Sequence, residues 1–207
     1  MTASSTHCCR SRFTLPELTR CRLRALLFAL LMCVHAACGA AGGITMRELR
    51  LDSTDEGYQL STDIAVTLSP RLAEAVTRGV ALYFILEFDI RRPRWYWLDE
   101  NVAERSQIYR LSYYALTRQY RVSTGALHQS FDSLEEALNL IGRLRSWPVA
   151  EHNRLKTGES YVASLRLRLD VTQLPKPFQL SAMSNRDWTL ESEWERWGFT
   201  ARAPEAR

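Results

Sequence analysis

The sequence predicts a mainly β protein: an antiparallel β-sandwich, immunoglobulin-like in its general architecture, with two helices at connections between strands. Seven or eight segments either alternate apolar and polar residues or are rich in β-branched and aromatic residues. Most of the turns between them are short, and the regular strand–helix alternation of a parallel sheet is missing. After the first 41 residues about 165 remain, enough for one hydrophobic core without disulfides.

The first 41 residues have the three parts of a secretory signal peptide. Five arginines stand against one acid over residues 1–24, an apolar run covers residues 25–34, and small residues follow over 38–43. The apolar run is shorter than the 20 or so residues that a membrane span needs, and no paired arginines precede it. We therefore expect residues 1–41 to direct export by the general secretion route to the periplasm or cell envelope. A leader retained as a membrane anchor is the alternative.

Removal of the leader changes the composition of the chain. Residues 1–41 carry all five cysteines, 5 of the 27 basic residues and 1 of the 23 acidic residues, so 22 of each charge remain. Because the rest is formally neutral, we expect no nucleic-acid partner, and without cysteine it forms no disulfide. Cys38 follows small residues and is a candidate lipidation site, although His35 stands where a lipoprotein signal has an aliphatic residue. The membrane is a partner only if Cys38 is lipidated or the leader is retained.

The region after the leader opens with two strands and a short helix. Apolar and polar residues alternate over residues 44–51 and 58–68, which predicts an antiparallel hairpin. Ser69 and Pro70 are typical of a helix start, and Gly79 is typical of a helix end. We expect a helix of about two turns between them.

The next segments predict a meander of strands. Residues 80–90 are continuously apolar at first and then alternate, which predicts a central strand buried on both faces at one end. Three further strands are expected over residues 95–98, 108–114 and 116–122.

Residues 132–145 have the clearest helical pattern of the chain. Asp132 is the expected N-cap, and Glu135 stands three residues later, as in a capping box. Arg143 and Arg145 suit the negative C-terminal end of such a helix.

The C-terminal part alternates again and then breaks. A strand is expected over residues 161–170, a non-helical connector over 174–178 because of its prolines, and a last strand over 187–194. We expect a single β-sandwich domain over residues 44–199 and a disordered tail over 200–207.

Several segments resemble a family of uncharacterised proteobacterial exported proteins, the domain of unknown function DUF4390. The resemblance is carried by Leu-Pro-Lys-Pro-Phe-Gln-Leu at 174–180, by the tryptophan-rich residues 188–194 with Trp197, and by residues 95–100 and 109–120. It covers about residues 44–199. It implies an envelope location and, by association only, a link to envelope sensing. It brings no established activity and no catalytic residues.

No recognised catalytic or metal-binding motif occurs after the leader. His128 and His152 are the only histidines there and are expected in loops, whereas a zinc site needs three or four ligands. A Gly-x-Ser-x-Gly elbow and a His-Glu-x-x-His pair are both missing. The adjacent acids at 99–100 and 135–136 are assigned to a turn and to a helix N-terminus. We expect no metal, no cofactor and no enzymatic activity.

The best candidate interaction surface lies around residues 91–97. It consists of Arg91, Arg92, Arg94, Trp95 and Trp97, which are of the residue types enriched at binding hot spots. The alternative, which the pattern favours, is a hairpin with an arginine-rich turn and both tryptophans in the core.

The remaining tryptophans, Trp188, Trp194 and Trp197, are expected to anchor a terminal strand in the sandwich, with sugar stacking or membrane contact as the alternative.

Three functions stay open. The leading hypothesis is a non-enzymatic module that binds a protein partner in the periplasm. The second is a hydrolase of cell wall or polysaccharide that uses unrecognised carboxylates. The third is a lipid or glycan binder that uses exposed tryptophans.

Overall fold

The computed structural model describes residues 42–96 and 98–202. Within them, nine strands and three helices account for most of the chain. The strands are β1 Gly43–Thr54, β2 Gly57–Thr67, β3 Leu82–Arg92, β4 Glu100–Tyr114, β5 Gln119–Thr124, β6 Leu127–Phe131, β7 Arg143–Ala150, β8 Ser160–Leu169 and β9 Glu195–Thr200. The helices are α1 Pro70–Thr77, α2 Leu134–Gly142 and α3 Lys176–Ser184. The predicted signal peptide, including Cys38, lies outside the described residues.

The strands form two antiparallel sheets. One has three strands in the order β1-β2-β7, and the other has six in the order β6-β5-β4-β3-β8-β9. Strand β3 is central because it pairs with β4 on one side and with β8 on the other. No helix among the described residues is long and apolar enough to cross a membrane.

Aromatic contacts join the two sheets around one core. Tyr58 of β2 lies 6.0 Å, centroid to centroid, from Phe199 of β9. Phe88 of β3 packs edge to face against Trp147 of β7 at 6.3 Å. These contacts confirm the predicted mainly β, antiparallel sandwich. Its division into six and three strands is more unequal than the four and three of a constant-type immunoglobulin domain.

The first hairpin and helix agree with the sequence pattern. β1 and β2 pair along their whole length. Ser69 caps α1, because its hydroxyl accepts a hydrogen bond from the Leu72 N–H at 3.2 Å, and Pro70 takes the first helical position. Gly79 follows the helix with a φ of 92°, the left-handed conformation that glycine adopts most readily.

Strand β3 is central as predicted, but its burial differs from the expectation. Its first half alternates between fully and partly buried residues, and burial on both faces is confined to Phe88, Asp89 and Ile90 near its end. Because one of these three residues is an acid, a run of apolar residues does not by itself predict which part of the strand is buried on both faces.

Helix α2 is shorter than predicted at both ends. Ser133 is the N-cap and accepts a hydrogen bond from the Glu136 N–H at 3.2 Å, whereas Asp132 accepts one from the Gln119 side chain. The helix ends at Gly142, where an added Cβ would lie 1.9 Å from the Ile64 carbonyl oxygen. The chain continues at once as β7, so residues 143–145 lie in a strand, in which Arg143 and Leu144 pair with β2.

The C-terminal region differs most from the expectation. Residues 176–178, predicted to be non-helical, begin α3, with the prolines at the N-cap and in the first turn, where a missing N–H costs little. The strand predicted over 187–194 is wrong: residues 186–188 form one 3₁₀ turn, and β9 begins at Glu195.

The ordered chain also extends past residue 199. β9 runs to Thr200, and the Arg202 N–H donates to the Tyr58 hydroxyl at 3.1 Å. Residues 200–202 of the predicted disordered tail are therefore held against the core, and residues 203–207 lie outside the described part of the chain.

Candidate functional site

The segment between β3 and β4, residues 93–99, presents exposed aromatic side chains, and we call it the aromatic loop. Trp95 is 94% exposed, Tyr96 is 67% exposed and Leu98 is 82% exposed. The strand predicted over 95–98 is wrong, because residues 95–96 form a turn. The expectation that Trp95 fills the core is wrong as well, and Trp97 lies outside the described residues.

Strand pairing explains why the loop leaves the core. The ladder between β3 and β4 shifts register after Ile90 and ends at the pair Arg92–Glu100. Beyond that pair no described strand pairs with the chain, so residues 93–96 and 98–99 lie outside the ladder. The Trp95 and Tyr96 rings contact each other edge to face at 5.1 Å, which leaves most of both surfaces open to solvent.

Arg92 and Arg94, predicted as contact residues, support the base of this loop. Both guanidinium groups donate to the Glu100 carboxylate, and Arg92 also donates to Glu159 at 2.9 Å. The Tyr161 hydroxyl extends the network, since it donates to Glu159 at 3.1 Å. All five side chains thus form one hydrogen-bonded cluster that connects the loop to β4 and β8.

The cluster changes the acidity of its members. The hydrogen bonds from Arg94 and then Arg92 lower the pKa of Glu100, and the bond from Arg92 lowers the pKa of Glu159. The bond to Glu159 raises the pKa of Arg92. These groups therefore stay charged and paired near neutral pH, and the loop is anchored by ion pairs at its base.

Arg91, the third predicted arginine, is not part of this cluster. Arg91 donates to Asp89 at 3.1 Å on the outer face of the six-stranded sheet, the face away from the core. Asp89 is only 6% exposed, so this pair compensates a buried charge. Each of the three arginines is thus engaged by a carboxylate of the protein itself.

The C-terminal tryptophans pack against the body of the protein. Trp188 is buried against Phe178, with ring centroids 4.9 Å apart, and the half-buried Trp197 lies 6.2 Å from Phe88. Trp194 is half-buried under the guanidinium of Arg166 at 4.6 Å. Trp197 therefore anchors the terminal strand as expected, whereas Trp188 and Trp194 lie outside that strand.

Carboxylates elsewhere on the surface are also held by arginines. Glu87 accepts two hydrogen bonds from Arg166 at 3.0 and 2.6 Å and two from Arg168 at 3.0 and 2.8 Å. Burial alone would raise the pKa of Glu87, but the bonds from both arginines outweigh it and lower that pKa. The bidentate contact with Arg145 likewise lowers the pKa of Asp63. In the described residues, every carboxylate with a shifted pKa is shifted downward.

The two histidines lie apart. His152 Nε2 donates to the Thr54 carbonyl, and its ring packs 5.3 Å from Tyr58. His128 is exposed on β6, a strand where a loop was expected. Residues 42–96 and 98–202 contain no group of three His, Cys, Asp or Glu side chains arranged to hold a metal ion.

A cavity between β2 and α2 has a volume of about 720 Å³. Its apolar wall includes Ile64, Leu134 and Leu138, and its rim carries acids and arginines together. Asp63 on that rim is held by Arg145, so it is not available as a free carboxylate.

One family comparison gives a match. Residues 41–198 match the family described as Domain of unknown function (DUF4390). The matched span includes the aromatic loop, the carboxylates at its base and all three helices. No curated protein and no solved structure matches the chain significantly.

Proposed function

The chain belongs to the DUF4390 family of domains of unknown function, and from that premise we propose that it is a non-enzymatic envelope protein that binds a protein partner through the aromatic loop. The observation that carries this proposal is the exposure of Trp95, at 94%, beside Tyr96 and Leu98. Burying one tryptophan contributes about 4–6 kcal/mol gross, from about 150–250 Å² at about 25 cal/mol per Å². The isolated fold does not gain this free energy, because the three side chains stay in water although the core is well packed. A contiguous exposed apolar patch of this kind is typical of a binding surface.

The base of the loop supports this proposal. Because Arg92 and Arg94 are tied to Glu100 and Glu159, the strands that flank the loop are already ordered before any partner arrives. A partner would then lose less conformational freedom on binding, which increases affinity. Tryptophan and tyrosine on such a support are the residue types that dominate protein interfaces.

Charge favours a protein over an anionic membrane as the partner. Arg92, Arg94 and Lys156, which lies 3.8 Å from Glu159, contribute +3, and Asp99, Glu100 and Glu159 contribute −3, so the loop and its base are formally neutral. An interfacial membrane anchor combines aromatic residues with an excess of lysine or arginine. A protein groove with an apolar floor matches this loop better.

A hydrolase with two catalytic carboxylates is the weaker alternative. Its general acid needs a raised pKa so that it stays protonated at neutral pH. The carboxylates with shifted pKa values in the described chain are all shifted the other way by arginines. The envelope location rests on the leader pattern of residues 1–41 and belongs to the same proposal.

Site-specific photo-crosslinking in living cells tests the proposal. A photoreactive amino acid replaces Trp95 or Leu98 in the full-length chain, and the matched control carries it at Leu116, which is fully exposed in the turn between β4 and β5. We expect a discrete protein adduct from positions 95 and 98 that is absent from position 116 and is lost when Tyr96→Ala is added. Equal adducts at all three positions, or lipid adducts alone, would refute a protein partner at this loop.

A further inference from the structure

A cavity on the outer face of the six-stranded sheet is lined by cationic and aromatic side chains, and we call it the arginine cavity. It has a volume of about 560 Å³. Its lining includes Tyr83, Arg110, Tyr114, Arg121, Ser123 and His128, and no carboxylate. In each of four other cavities on the described surface, at least one acid stands among the lining residues.

Strand register brings these side chains together. Tyr83 of β3 pairs with Arg110 of β4, Arg110 pairs with Ser123 of β5, and Ser123 pairs with His128 of β6. The four residues therefore form one row across four strands on a single face of the sheet. Arg121 stands diagonally to Arg110 on the same face, two residues before Ser123 along β5.

The two guanidinium groups lack the partners that other arginines on this face have. Arg166 and Arg168 share Glu87, and Arg91 pairs with Asp89. Among the ion pairs of the described residues, none includes Arg110 or Arg121.

Arg121 also holds an unsatisfied buried donor. Its Nε is buried without a hydrogen-bond partner, and it is the one side-chain nitrogen or oxygen of that kind in the part of the chain that the structure describes. A buried donor left unpaired destabilises the folded protein, and an acceptor supplied by a ligand would relieve this. Its guanidinium carbon lies 4.1 Å from the Tyr114 ring centroid, and that of Arg110 lies 5.9 Å from the Tyr83 ring centroid. The rings orient both cations but supply no anion.

We propose that the arginine cavity binds a phosphomonoester, with the phosphate held by Arg110 and Arg121. Two adjacent positive charges without a carboxylate are best compensated by a group that carries close to two negative charges and several acceptor oxygens. Ser123 and His128 add two further hydrogen-bonding groups. A carboxylate can accept from two arginines, as Glu87 does, but its single charge compensates only one of them.

The remaining lining matches the carbon part of such a ligand. Ile108 and Leu127 are exposed at the cavity, and both tyrosine rings border it. The volume of about 560 Å³ lies in the range of small-molecule sites. The cavity lies at the opposite end of the β3–β4 ladder from the aromatic loop, so this site is independent of the proposed protein-binding function.

Calorimetric titration of the full-length chain with phenyl phosphate tests the site. We expect a one-to-one complex with a dissociation constant below about 1 mM. Arg110→Gln and Arg121→Gln should each weaken binding about tenfold to a hundredfold, since each removes charge-assisted hydrogen bonds. Arg196→Gln is the matched control, because it removes the same charge from β9 of the same sheet, outside the cavity.

Further variants and ligands separate the outcomes. Arg121→Lys retains the charge and loses the planar fork, so an intermediate loss is expected even if Arg121→Gln does not fold. Vesicles that contain phosphatidic acid, compared with vesicles of phosphatidylcholine alone, test whether the bound phosphate is a lipid headgroup. Vesicle binding that Arg121→Lys weakens would identify the ligand as a lipid. Binding of phenyl phosphate without vesicle binding would identify it as a soluble phosphomonoester. No binding of either phosphate, equal affinity for benzoate, or equal losses in Arg196→Gln would overturn the proposal.

Discussion

Replacing Glu87 by glutamine removes the carboxylate that holds two arginines on the outer face of the central strand. Arg166 and Arg168 donate four hydrogen bonds to it, two to each oxygen. All three side chains are only about a quarter exposed. Glu87→Gln therefore leaves two partly buried guanidinium groups of like charge next to a neutral amide with one acceptor oxygen.

The magnitude follows from this burial. Breaking a fully buried ion pair by removing one partner costs about 3–5 kcal/mol, and an exposed pair contributes at most about 1 kcal/mol. With about a quarter of each side chain in contact with water, we expect Glu87→Gln to lower the free energy of unfolding by about 2–3 kcal/mol at neutral pH. For a domain of this size, that corresponds to a decrease in Tm of roughly 4–12 °C.

The effect should depend on pH with a definite sign. The pKa of Glu87 is lower in the folded protein than in the unfolded chain, where it is about 4.3. Its stabilising contribution is therefore fully present above about pH 4.3 and is lost as the pH falls through the folded value. The difference in unfolding free energy between the native protein and Glu87→Gln should shrink steadily below about pH 4.

Urea denaturation followed by tryptophan fluorescence measures both quantities, at pH 7 and at several values below pH 4.5. Glu104→Gln is the control, because Glu104 of β4 lies opposite Asp89 on the same outer face of the sheet, is exposed, and its carboxylate accepts a hydrogen bond from Asn101 and forms no ion pair among the described residues. We expect the control to change stability by less than about 0.5 kcal/mol. Equal losses in both variants, or a Glu87→Gln loss that does not decrease in acid, would refute the reasoning.

Three further outcomes are expected. Gly142→Ala should lower the free energy of unfolding by at least about 2 kcal/mol in thermal melts, since its Cβ would meet the Ile64 carbonyl at 1.9 Å; a neutral substitution would contradict this close approach. Ser133→Ala should cost about 1 kcal/mol and Asp132→Ala clearly less; the reverse order would mean that Asp132 is the cap. Mass spectrometry of the mature protein should find an N-terminus near residue 42, whereas a diacylglyceryl group on Cys38 would show lipidation instead.

Local patterns were sufficient for the elements whose residues interact mainly with near neighbours in the chain. The β1–β2 hairpin and α1 followed from alternation and from the Ser69–Pro70 start. β8 followed from strict alternation as well, and its apolar residues do face the core. In each case side-chain periodicity and capping are properties of a few consecutive residues.

Elements decided by distant contacts were predicted wrongly. Helix α2 ends early because Gly142 meets the backbone of β2, nearly 80 residues away in the sequence. Residues 187–194 alternate like a strand, yet only Glu191 forms an isolated bridge, with Arg168 of β8. Tertiary packing overrides such patterns because propensity differences are small compared with the free energy of burial.

For the two candidate sites as well, the sequence indicated residue types and the tertiary structure decided their contacts. Residue types indicated the segment 91–97 and left open whether its tryptophans are exposed or in the core; the structure pairs the three arginines with carboxylates and leaves Trp95 exposed. Arg110 and Arg121 were not singled out. Their positions on the polar faces of two predicted strands were a signal that could have found them, but only the strand register shows that they line one cavity.

The sequence by itself determined the distribution of residue types: residues 1–41 hold every cysteine, the remainder is formally neutral, and its alternation is typical of antiparallel strands. Only the tertiary structure decided which charges are paired and which aromatic residues stay in water. Arg92 reaches Glu159 across 67 positions, and Arg166 reaches Glu87 across 79. Contacts of that span depend on the order and register of the strands, which emerge when the whole sheet forms its backbone ladder.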